Sequence, residues 1–182
     1  TDISCNLCST NIANLMDSPD FGRSVEAMTR ALTFVTDHSD IDVVPSVQHG
    51  NHQAHTIGLG AMGLHAFLAK NQMHYGSQEA LEFTSLYFML LNYWTLVASN
   101  KIAKERQTSF VGFEESDYAN GKYFTKYLTE DFTPHSEKVK ALFKDIFIPT
   151  KADWEKLSQA VKQDGLYHQN RLAVAPNGSI SY

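Results

Sequence analysis

Residues 77–106 read SQEALEFTSLYFMLLNYWTLVASNKIAKER, and they set the fold class. Ser77 suits an N-cap and Glu79 suits the first turn, so a helix starts there. The pattern runs unbroken to about Arg106, which predicts the longest helix of the chain. Its middle is apolar on most sides. A helix of that kind is buried in a larger body rather than laid on a surface. The sequence therefore predicts a mainly α fold organised around one central helix.

Working outward, helical spacing recurs on both sides. Asp17-Ser18-Pro19-Asp20 is a turn and helix start, followed by Val25, Met28, Ala31, Leu32 and Val35 in a helix over 21–36. The stretch 37–50, with Pro45 and Gly50, is expected to be loop. The stretch 54–70 is expected to be a helix whose Gly58, Gly60 and Gly63 allow close packing. Beyond a turn at 118–121, shorter helices are predicted over 121–128, 136–147 and 151–163, the last ended by Asp164-Gly165. One or two short strands complete the prediction. Residues 3–15 alternate roughly and read as extended. Leu172-Ala173-Val174-Ala175 reads as a short buried strand running into Pro176-Asn177-Gly178.

The totals exclude several classes. The chain has 182 residues, 43% hydrophobic and 19% charged, enough for one ordinary globular core. A formal charge of −5 gives no footprint for nucleic acid or an anionic membrane. The most apolar stretch, 86–97, is too short to span a bilayer and is broken by Asn92 and Thr95. No signal-peptide pattern opens the sequence, and two cysteines make no disulfide framework, so a reducing cytoplasm is expected. The start at Thr1 and the end just after a turn are expected of a piece of a larger protein.

Four features could carry chemistry. Cys5 and Cys8 lie three apart. In a strand they point to opposite faces, roughly 10 Å apart. A disulfide needs Cα atoms within about 7 Å, so the two are not expected to pair. Inert thiols and functional thiols stand about even on spacing alone. His49, His52 and His55, with His65 and the thiols, could be imagined as a zinc site, but hydrogen-bonded or solvated histidines are the default, and no metal is expected. Gly58-Leu59-Gly60 lacks the preceding strand and acidic residue of a nucleotide loop. Pro176-Asn177-Gly178-Ser179 after a strand could expose successive N–H groups as a phosphate nest, although a plain turn is commoner.

Three runs then match a known pattern in order: DISCNLCSTNIANLMDSPDFGRSV at 2–25, VPSVQHGNHQAHTIGLGAMGLHAFLA at 44–69, and GLYHQNRLAVAPNGSISY at 165–182. HYGSQEALEFTSLYFMLLNYW and KERQTSFVGFEESDYANGKYF lie between them. The chain resembles, over essentially its whole length, the large (alpha) subunit of class Ib ribonucleotide reductase. The resemblance implies that residues 1–182 are part of a catalytic domain built as a ten-stranded α/β barrel of two parallel five-stranded halves. It implies reduction of ribonucleoside diphosphates to deoxyribonucleoside diphosphates. A thiyl radical takes hydrogen from the ribose C3′, and a cysteine pair replaces the 2′-hydroxyl and ends as a disulfide.

Carried over by residue, Cys5 matches one thiol of that pair. Its partner has no counterpart in these 182 residues. Neither has the Asn-Leu-Cys-x-Glu motif of the thiyl cysteine: Asn6-Leu7-Cys8 is followed by Ser9 and Thr10. Cys8 departs from the family's usual glycine and is expected to be structural. Asn177, Gly178, Ser179 and Ile180, after Pro176, match the loop whose amides and a hydroxyl hold the substrate diphosphate. The implied partners are the rest of the large subunit, a metal-containing radical-generating small (beta) subunit, and a glutaredoxin- or thioredoxin-like dithiol reductant. The 182 residues alone are expected to bind no cofactor and to be inactive. The rival readings are a helical metal-binding protein and a non-catalytic interaction domain.

Overall fold

The computed structural model describes residues 2–39, 41–178 and 180. It is mainly helical around a small parallel sheet. Strand β1 (Asn6–Asn11) pairs in parallel with β2 (Ile57–Met62), with Leu7 opposite Gly58 and Ser9 opposite Gly60. The crossover between them holds α1 (Ile12–Met16), α2 (Phe21–His38) and α3 (Pro45–Ala54). After β2 come α4 (Leu64–Lys70), α5 (Gln78–Arg106), α6 (Thr125–Thr129), α7 (Glu137–Phe143) and α8 (Lys151–Asp164).

The central helix is as expected. Ser77 Oγ accepts the Ala80 N–H, and Gln107 closes the far end in a left-handed cap. Met89, Leu90, Leu91, Asn92 and Tyr93 are five successive buried residues, so α5 is enclosed on every side at its middle. Helix α2 crosses it at Gly22, where a Cβ would fall 2.6 Å from the Trp94 ring. Asp20 caps α2 through the Arg23 N–H, and Thr150 with Asp153 forms a capping box on α8. Among the described residues no helix is long and apolar enough to cross a membrane.

Three expectations fail. The stretch 54–70 is not one helix but strand β2, a left-handed Gly63, and α4. Nearly all of β2 is buried, and strands covered on both faces read as plain apolar runs rather than alternating ones. The expected loop before Gly50 instead holds α3, which starts with Pro45 in its first turn and buries Gly50 inside it. The extended reading of 3–15 holds only to Asn11, whose side chain caps α1.

Residues 170–173 lie along β2 as an abbreviated third strand. Ile57 N–H bonds to Asn170 O, Leu59 N–H to Arg171 O (2.9 Å), and Ala173 N–H returns to Leu59 O (3.2 Å). The pairing is parallel at Leu172 and Leu59. Val174 is 75% exposed, so the expected buried strand is shorter and more open than its sequence suggests. This segment is anchored from behind. Buried His168 bonds Thr33 Oγ1 on α2 and Ser99 Oγ on α5, each at 2.9 Å. Burial pushes its imidazole down to about 3, so it is a neutral strut.

Candidate functional site

The two strands and the 170–177 segment run in one direction, so their carboxyl ends gather at Asn11, Met62 and Asn177. One face of this sheet packs on the helices. Thr10 Oγ1 bonds Gly60 O and Tyr87 Oη there, and Cys8 packs against the core. The other face carries Cys5, Leu7 and Ser9 at alternate positions.

Cys5 is held facing away from the helices by its neighbours. Ser4 Oγ donates to Asn51 Oδ1 (3.3 Å), and Asn6 Nδ2 donates to Thr36 Oγ1 (2.9 Å). With Ser4 and Asn6 tied to α3 and α2, the residue between them points to the open side. Its thiol is free, and partial burial pushes its pKa up, so it is protonated at neutral pH. Cys8 is also free, on the opposite face.

The glycines of β2 are there for close approach. A Cβ on Gly58 would fall 3.0 Å from Cys5 Sγ and 2.8 Å from Ala173 Cβ; one on Gly60 would fall 2.1 Å from the Ala173 carbonyl oxygen. Their use is not helix packing, as the sequence suggests, but admission of a third chain segment over the sheet.

That segment delivers the 176–180 loop. Ser9 Oγ donates to Asn177 Oδ1 (2.7 Å), and Asn177 Nδ2 donates to Ala61 O (3.1 Å). Among the described residues, no acceptor in the chain takes the backbone N–H of Asn177 or Gly178. Gly178 is exposed, with nothing within 4 Å of where its Cβ would be. The Ile180 N–H makes one long bond, 3.4 Å, to Asn177 O, so it is committed within the turn rather than free as expected. Ser179 lies outside the described residues. Cys5 and Ser9, whose hydroxyl holds the Asn177 side chain, thus lie on one face of the segment that forms β1. Ser9 went unremarked in the sequence reading. Its position two and four residues from Leu7 and Cys5 was the available signal.

The remaining candidates do not assemble. His49 and His52 are exposed on α3. His55 caps that helix, stacks on Tyr167 (4.1 Å between ring centroids), and faces Asp37 at 3.6 Å. His65 is exposed beside Tyr75. Among the described residues no three His, Cys, Asp or Glu side chains gather as a metal site. A buried polar cluster was also missed. Arg171 donates to Tyr118 Oη (3.2 Å), Tyr123 Oη (3.3 Å) and Asn92 Oδ1 (3.3 Å), and Asn92 Nδ2 donates to Tyr127 Oη (2.9 Å). It fixes Arg171 of the third segment, whose carbonyl pairs with Leu59.

Comparison with known proteins gives the family. The family model for the ribonucleotide reductase barrel domain matches residues 1–182, and the chain belongs to that family. It is 45% identical over 181 residues to the ribonucleoside-diphosphate reductase subunit alpha of Bacillus subtilis (strain 168). It is 43% identical over 187 residues to the subunit of that name from Mycoplasma pneumoniae, and 46% identical over 181 to the nrdEB subunit alpha of Bacillus phage SPbeta. Each comparison takes in the whole of this chain but only 26%, 26% and 17% of the relative's length. The chain spans about a quarter or less of the curated relatives it matches.

Proposed function

We propose that this chain serves as part of the catalytic barrel of a class Ib ribonucleoside-diphosphate reductase large subunit. In this reading it supplies one redox thiol and the diphosphate loop. The observation that carries the reading is that Cys5 shares a face of β1 with Ser9, the residue bonded to Asn177 of the loop. One strand leads from the thiol to the residue that tethers the loop, so a ribose and its diphosphate can lie along it. The family match and the identities to alpha subunits support the same assignment.

Replacing a ribose 2′-hydroxyl by hydrogen needs two electrons and two protons and releases water. Two thiols supply both and become a disulfide. Cys5 is one of them, and its raised pKa keeps on the thiol the proton that the departing hydroxyl needs. The second thiol, the thiyl cysteine and the remaining strands of a ten-stranded barrel come from the rest of the subunit. A radical-generating small subunit starts the chemistry, and a dithiol protein of glutaredoxin or thioredoxin type resets the pair. A free thiol of this kind suits the cytoplasm. At the loop, the N–H groups of Asn177 and Gly178 meet the diphosphate. The Ser179 N–H and hydroxyl join them, as does the Ile180 N–H once its long turn bond opens.

The full-length subunit, with its radical partner and reductant, tests this. Cys5→Ser is expected to abolish deoxyribonucleotide formation while the nucleoside diphosphate still binds. Gly178→Val is expected to weaken nucleotide binding at least tenfold. Sustained turnover by Cys5→Ser would remove the thiol from the reaction.

A further inference from the structure

We infer that Ser9 is a positioning residue for the diphosphate loop, acting through the side chain of Asn177; this rests on the loop's proposed role. Among the described residues, the last backbone bond joining the third segment to β2 is that of Ala173 N–H to Leu59 O. Beyond it Val174, Pro176 and Gly178 are exposed. What returns the chain to the sheet is the Asn177 carboxamide, and both of its ends are engaged. Ser9 Oγ on β1 holds its oxygen at 2.7 Å, and Ala61 O on β2 holds its nitrogen at 3.1 Å. Ser9 and Ala61 are neighbours across the ladder, since Ser9 pairs with Gly60. The amide is therefore clamped across the carboxyl ends of two strands.

The clamp fixes more than the loop's height. A side chain held at both ends cannot rotate about its own bonds, so the Asn177 backbone is held too. The free N–H groups of Asn177 and Gly178 then sit in one orientation before any ligand arrives, and such preorganisation strengthens binding without adding a contact to the ligand. The clamp also sets a length. Cys5 and Ser9 are four residues apart on one extended strand, about 13 Å. That span suits a ribose diphosphate in contact at both ends. Ser9 so holds the phosphate end of the substrate in register with the thiol end.

The test uses the full-length subunit with its radical partner. Ser9→Ala is expected to raise KM for the nucleoside diphosphate about five- to tenfold, the effect of one lost hydrogen bond, with kcat changed less than threefold. Ser9→Thr keeps a hydroxyl on a residue that strands accept, and it should restore most of the affinity. Binding of the corresponding nucleoside, which lacks phosphate, should be the same in all variants. Because Ser9 acts through Asn177, the Ser9→Ala/Asn177→Ala double variant should bind no more weakly than Asn177→Ala alone. Fully additive losses would mean that Ser9 touches the ligand itself, and the inference would fall. It would also fall if Ser9→Ala left KM unchanged while Gly178→Val raised it. If neither substitution moved nucleotide affinity, the loop's phosphate role would fail first, and Ser9's with it.

Discussion

Substituting Gly60 by alanine should open the sheet at the point where the loop is delivered. The added Cβ would lie 2.1 Å from the Ala173 carbonyl oxygen and 3.2 Å from its carbonyl carbon. Both are backbone atoms, so no side chain can swing aside, and β2 and the third segment must separate. Three bonds are at stake: Leu59 N–H to Arg171 O, Ala173 N–H to Leu59 O, and Asn177 Nδ2–H to Ala61 O. At roughly 0.5–1.5 kcal/mol net for each, their weakening and the local overpacking amount to about 2–4 kcal/mol. The loss is local, so the proper reading is amide hydrogen exchange by mass spectrometry on the full-length subunit. Peptides covering Leu59 and Ala173 should exchange roughly thirty- to several-hundred-fold faster than in the parent, and nucleoside diphosphate affinity should fall with them. Gly178→Ala is the control, because its Cβ would meet nothing within 4 Å. It should leave the exchange of those peptides unchanged. Unaltered protection in Gly60→Ala would refute the close-approach argument.

Asn92→Leu should destabilise the barrel domain by about 3 kcal/mol in thermal or denaturant unfolding. It leaves the Arg171 guanidinium and the Tyr123 and Tyr127 hydroxyls short of a partner in the core. Acid stability should depend on Asp37. Burial alone would raise its pKa, but contacts from His55, Arg106 and Tyr167 outweigh this and bring it down to about 2. Its contribution, on the order of 1 kcal/mol once solvent screening of the part-exposed carboxylate is allowed for, is present above about pH 4 and is lost as the pH falls toward 2. Asp37→Asn should therefore lower stability at pH 7 and flatten the acid limb between pH 4 and 2; an unchanged acid limb would show the contacts to be neutral. Mild oxidation followed by peptide mapping should find no Cys5–Cys8 disulfide, since the two thiols face opposite sides of β1. A Cys5–Cys8 link in most folded molecules would overturn that strand register.

The sequence by itself determined what depends on neighbours within a few turns. Helix α5 was legible because its cap, its first-turn Glu79 and its apolar run all lie within 77–106, and helix periodicity is a local property. The start of α2 was legible for the same reason, through Asp20. That Cys5 and Cys8 face apart follows from strand alternation alone. The roles proposed for Cys5 and the 176–180 loop came from the resemblance of whole runs, which no single spacing could have supplied.

Tertiary structure decided the rest. Ile57, Leu59 and Ala61 suit either a buried helix or a buried strand, and only the arrival of β1 on one side and residues 170–173 on the other makes them a strand. Gly50 disfavours a helix locally, yet α3 forms, because burial in the fold outweighs the roughly 1 kcal/mol that glycine costs there. The Ser9–Asn177 bond joins residues 168 positions apart. Its existence depends on two glycines opposite Leu7 and Ser9 that leave room for a third segment. A contact at that separation is fixed by how the layers close, and sequence pattern records only the local part of that energy.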